Sequence, residues 1–103
     1  MKPLPFNPEN WGYEFEYWVP RLGGVPTHLF ASHDRSKYYE MDRAHVFKIR
    51  PGRYALVREI GCSCYLPKDA DIFIYGDERS VMADYMKWLE DGYPFKALGV
   101  KAK

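Results

Sequence analysis

The stretch from Arg50 to Tyr75 limits the fold most sharply, because it contains two strands, two turns and both cysteines of the chain. Pro51-Gly52 separates Ala44–Arg50 from Arg53–Ile60. Proline presets φ at the second turn position and glycine accepts the positive φ that a type II turn needs at the third, so the two arms form a hairpin. In the second arm Tyr54, Leu56, Arg58 and Ile60 share one face, and Ala55, Val57 and Glu59 share the other. Gly61 marks a bulge or strand end, Leu66-Pro67-Lys68-Asp69 a turn, and Ala70–Tyr75 a further strand. Asp77 then opens a helix as its N-cap. Val81, Met82, Tyr85, Trp88 and Leu89 recur at helical spacing as its apolar face, with Met86 on the margin. Gly92 fits the residue after the last turn and Pro94 the stop beyond it.

Upstream the patterns are shorter. Residues 1–10 hold three prolines and no period, which predicts an extended arm. Trp11, Tyr13, Phe15 and Tyr17 alternate with Gly12, Glu14 and Glu16, so Trp11–Val19 reads as a half-buried strand ended by Pro20, with Trp18 on its polar face. Gly23-Gly24 marks a loop. Thr27–Ser32 has strand character, and Lys37–Met41 pairs with it across a turn at Asp34-Arg35-Ser36. Strands first and one late helix define an α+β domain: a small antiparallel sheet of about four to five strands with one C-terminal helix packed on one face. The expected organisation is a single domain over 1–103, with an arm at 1–10 and a frayed tail at 101–103.

A chain of 103 residues can bury a core without staples. No apolar run reaches the ~20 residues of a membrane span, and no apolar signal segment follows Lys2, so a cytoplasmic protein without membrane contact is expected. The formal charge of +1 conceals blocks. Arg35–Arg58 is strongly basic and Glu59–Asp91 strongly acidic, so the blocks either pair internally or present opposite faces to partners.

Four sets of residues invite a chemical reading. Cys62 and Cys64 with His28 and His33 supply the ligand count of a zinc site, although the order of the ligands is unusual. The simpler reading is two small thiols at a strand end, with a redox-active short-loop disulfide as a third reading. Cys62 or Cys64 as nucleophile with His45 as base has no sequence motif behind it. Asp69/Asp71 and Asp77/Glu78 are explained by turn and cap chemistry. Lys48, Arg50, Arg53, Tyr54 and Arg58 combine phosphate-binding charge with a ring able to stack, the makings of a basic nucleic-acid hairpin.

The Val-Arg-Glu-Ile-Gly-Cys-Ser-Cys-Tyr stretch, followed by Asp-Ala-Asp-Ile and a helix after an acidic pair, resembles small uncharacterised proteins of tailed bacteriophages that carry a strand ending in Gly-Cys-Ser-Cys. The likeness covers Arg53–Leu89 and implies a phage accessory protein made in the cytoplasm of a bacterial host. It supplies no catalytic residues. Aromatic residues make up 17%, so either some rings lie at the surface or a thin core uses large rings to gain volume; the first reading points to a contact face. The expected function is therefore a non-enzymatic protein-interaction module without a cofactor, binding a host protein or a second copy of itself. Its contact residues would be Trp11, Tyr13, Tyr17, Trp18, Tyr38 and Tyr39. The alternatives are the nucleic-acid hairpin and a zinc-stabilised domain.

Overall fold

The computed structural model describes residues 3–12, 14–36, 41–61, 70–91 and 100–101. In chain order the elements are β1 (Leu4–Pro5), a 3-10 turn (Pro8–Asn10), α1 (Glu14–Leu22), β2 (His28–Asp34), β3 (Met41–Arg50), β4 (Arg53–Gly61), β5 (Asp71–Tyr75), α2 (Glu78–Asp91) and β6 (Val100–Lys101). Among the described residues six strands form one antiparallel sheet in sequence order, with two-residue strands at both edges. The fold is α+β, with α2 packed on one face as the sequence implies. A second helix, α1, covers the opposite face.

The pleat sorts the core into two layers. Ala44, Val46, Tyr54, Leu56, Phe73 and Tyr75 point toward Val81, Tyr85 and Trp88 of α2. Phe47, Ile49, Ala55, Val57 and Ile72 point toward Phe15, Trp18 and Leu22 of α1. Both faces of the central strands are therefore apolar. A register shift between Leu29 and Ala31 lets Leu29 join the α1 layer and Ala31 the α2 layer, which regular alternation would forbid. The β3–β4 hairpin turns where expected, with Gly52 at φ 81°.

Four expectations are corrected. Glu14–Leu22 is helix, not strand, because Phe15, Trp18, Val19 and Leu22 also fall at helical spacing and all pack on the α1 layer. Pro20 lies inside this helix and does not end it; Gly23, at φ 85°, does, donating its N–H to the Val19 carbonyl at 3.1 Å. The arm is not loose. Leu4 and Pro5 pair with β2, Asn7 caps the 3-10 turn, and Phe6 lies 4.8 Å from Phe15 and 5.7 Å from Phe47 between ring centroids. The strand paired with β2 is Met41–Arg50, whose Arg43–Lys48 lie opposite His28–Asp34; of the expected partner Lys37–Met41, residues 37–40 lie outside the described residues.

Candidate functional site

At one end of the α1 face the apolar layer gives way to charge. Register places Ser32 opposite His45, Asp34 opposite Arg43, and Arg43 opposite Glu59, so five polar side chains lie across three adjacent strands. Glu59 is fully buried and His45 nearly so. Glu59 Oε1 accepts from Arg43 Nε at 2.7 Å, and Oε2 accepts from Arg43 Nη2 at 2.8 Å. Oε1 also lies 2.7 Å from His45 Nε2, and His45 Nδ1 lies 2.7 Å from Ser32 Oγ.

Burial alone would raise the pKa of Glu59, but hydrogen bonds from His45 and Arg43, together with their charge, hold it below the usual carboxylate range. Glu59 is therefore an anion at neutral pH. An anion only accepts, so Nε2 of His45 carries a proton and donates it. In the neutral ring Nδ1 then accepts from the Ser32 hydroxyl. Asp34, at the exposed margin, is likewise held low, chiefly by hydrogen bonds from Ser36 and further by the charge of Arg43.

Aromatic rings enclose the imidazole. Trp11 meets it edge-on at 4.6 Å, while Trp18 and Phe47 lie tilted to it at 5.8 Å and 6.2 Å. Above this floor lies a cleft of ≈ 370 Å³ lined by Asn10, Trp11, Gly12, Arg43, His45 and Glu59. Gly12, at φ 60°, provides the left-handed step from the 3-10 turn towards α1 that leaves the Trp11 ring against His45.

A separate network fastens the other face. Arg35 donates to the carbonyls of Trp88 and Leu89 near the end of α2, pairs with Asp42 at 3.0 Å, and stacks its guanidinium 4.1 Å from the Trp88 ring. Trp88 Nε1 donates to Asp42 Oδ1, and Arg58 reaches the same oxygen at 3.6 Å. Tyr75 donates to Asp84 at 2.6 Å within the α2 layer. These contacts join elements.

The sequence-derived candidates scatter. Of the aromatic contact set, Tyr17 is exposed and Trp11 half-buried, but Trp18 is fully buried. Trp18 is thus a core residue, corrected because its strand is a helix whose inner face it occupies. Tyr13, Tyr38 and Tyr39 lie outside the described residues. In the basic hairpin Tyr54 is buried under α2 and offers no ring for stacking. Arg53 donates to the Leu22 carbonyl at 2.7 Å and Arg50 to the Gly23 carbonyl at 3.3 Å, so both serve the C-terminus of α1. Lys48 is half-buried opposite His28, and Arg58 belongs to the Asp42 network. His28 and His33 occupy opposite ends of β2, on the order of 15 Å apart at strand rise, and do not converge on one ion. His28 instead meets Thr27 Oγ1, and His33 lies against Trp88. Cys62 and Cys64 lie outside the described residues, among which no group of three metal-ligating side chains occurs.

Ser32, Arg43, Glu59 and Asn10 were not candidates from sequence. One signal existed: Glu59 shares its face with Ala55 and Val57, and a carboxylate on an apolar face requires a buried partner. No protein-family model matches the chain, and neither the curated proteins nor the solved structures yield a match.

Proposed function

We propose that the chain is a protein-interaction module whose recognition surface is the cleft beside Trp11. The observation that carries this reading is the combination of a half-exposed indole wall with a floor of charged groups locked by their own hydrogen bonds. Apolar walls around a few fixed polar groups are the composition of a pre-formed binding site, and a tryptophan at the rim contributes contact area at little entropic cost. Tyr17 adds a second exposed ring on α1. The likeness of the Gly-Cys-Ser-Cys stretch to tailed-phage proteins supports a bacterial host protein as the partner. No described helix is long and apolar enough to cross a membrane.

The test is blockade of the cleft by Asn10→Arg. Asn10 is exposed at the end of the 3-10 turn, so the longer side chain fills the mouth without disturbing the core. A partner captured from bacterial lysate is purified and titrated against both proteins by calorimetry. The expected result is at least a tenfold rise in Kd for Asn10→Arg at unchanged melting temperature. Equal affinity would remove the cleft from the binding surface.

A further inference from the structure

Beyond partner binding, we propose that Ser32 is an activated nucleophile toward carboxylic esters, with His45 as its general base and Glu59 as the residue that positions His45. The geometry comprises two hydrogen bonds in series: Ser32 Oγ to His45 Nδ1 at 2.7 Å, and His45 Nε2 to Glu59 Oε1 at 2.7 Å. A nucleophile, a base within hydrogen-bond reach and a third group fixing the base are the requirements for an activated hydroxyl. The far end of this chain is rigid, because Glu59 is fully buried and clasped by both Nε and Nη2 of Arg43. The near end is open, because Ser32 is exposed on β2.

The burial gradient argues for more than packing. A structural role needs only that the buried imidazole be satisfied at both nitrogens, and an exposed serine beside solvent is an uneconomical way to do so. With Nε2 donating to the Glu59 carboxylate, a neutral imidazole leaves Nδ1 as acceptor toward the exposed hydroxyl. The strand also supplies a donor for the charge that develops on attack. Arg35 N–H bonds the Asp42 carbonyl at 2.8 Å, and the register continues through Asp34–Arg43 and Ser32–His45. Antiparallel alternation from that bond turns the Ser32 N–H away from β3. Among the described residues β1, the neighbouring strand on that side, pairs with His28 and Leu29. The Ser32 N–H is the backbone donor covalently nearest its own Oγ, the kind of group that stabilises an oxyanion.

The step balances without a co-reactant other than water. Ser32 Oγ forms a bond to the ester carbonyl carbon while its proton passes to His45 Nδ1, and the imidazolium is held by the Glu59 carboxylate. Collapse breaks the bond to the alcohol oxygen, which leaves with the proton from Nδ1. Water then releases the acyl group by the same route, with His45 again taking the proton.

The test uses the whole chain and a fluorophosphonate, a probe that reacts covalently with activated serines, with the adduct mapped by peptide mass. Folded wild-type protein is expected to carry the adduct on Ser32. His45→Gln, its fold checked by circular dichroism, is expected to label roughly 10²- to 10⁴-fold more slowly, the usual contribution of a general base. Absence of a Ser32 adduct in folded wild type overturns the proposal, as does an undiminished rate in folded His45→Gln. Should His45→Gln not fold, Ser32→Cys decides the matter. Its mapped thiol must alkylate with iodoacetamide at least tenfold faster at pH 6 than the same residue in urea, and equal rates overturn the proposal. Neither readout involves the partner, so loss of this activity and loss of cleft binding are separate results.

Discussion

Glu59 sits fully buried on β4. Its carboxylate serves Arg43 and His45 together, at full burial, between strands that otherwise carry Ala55 and Val57 on the same face. Removing one partner of such a cluster leaves the others desolvated and unpaired. Glu59→Ala is expected to destabilise the fold by about 3–5 kcal/mol, read as a lower urea midpoint at pH 7. The pH dependence follows from the same carboxylate. Its folded pKa is depressed below the unfolded one, so its stabilisation is complete above the unfolded value of ~4.3 and is lost as pH falls through the folded value. Asp34, also depressed, acts in the same direction. The urea midpoint of the wild type should therefore fall as pH drops below about 4.3, and Glu59→Gln should flatten that dependence; an unchanged slope would assign the acid sensitivity to other carboxylates.

Among elements, the β3–β4 hairpin and α2 were readable because each is set by local chemistry: Pro51-Gly52 for the turn, Asp77 accepting from Ser80 N–H at 2.7 Å for the cap, and a wide apolar stripe for the helix. α1 was not readable. Alternation over Trp11–Tyr17 and helical spacing over Phe15–Leu22 overlap in the same residues, and only packing against Phe47 and Val57 decides between them. The polar site was hidden for a related reason, since it is assembled by register across β2, β3 and β4 and no two of its members are adjacent in sequence. The glycine that ends α1 tests this view of the helix. At Gly23, φ is 85° and an added Cβ would come within 2.7–2.9 Å of the Arg53 guanidinium, which caps the Leu22 carbonyl. At Gly52, φ is 81° but an added Cβ meets nothing within 4 Å. Gly52→Ala should thus cost only backbone strain, about 1–2 kcal/mol. Gly23→Ala should cost that and the Arg53 cap besides, about 1 kcal/mol more by denaturant unfolding. Equal losses would mean that Arg53 contributes nothing to the end of α1.

At the scale of the whole molecule, the sheet is covered on one face by a fourteen-residue helix and on the other by a nine-residue one. The shorter helix does not suffice to close its face, and the N-terminal arm completes the layer. Phe6 and Trp11 pack against Phe47, Phe15 and Trp18, with centroid separations of 4.8–5.9 Å, while Leu4 and Pro5 extend the sheet. The arm also provides half of the cleft lining through Asn10, Trp11 and Gly12, so stability and recognition depend on the same segment. Full burial of a phenylalanine is worth about 1.5–3 kcal/mol, and Phe6 is partly buried against Phe15 and Phe47, so Phe6→Ala is expected to cost about 1–3 kcal/mol. For a domain of this size each kcal/mol is worth roughly 4–8 °C, so melting should fall by at least ~4 °C. Leu4→Ala, at an exposed position on the same arm, is the control and should leave melting nearly unchanged. A loose proline-rich arm would give both variants the melting temperature of the wild type, and that result would detach the arm, and the cleft with it, from the fold.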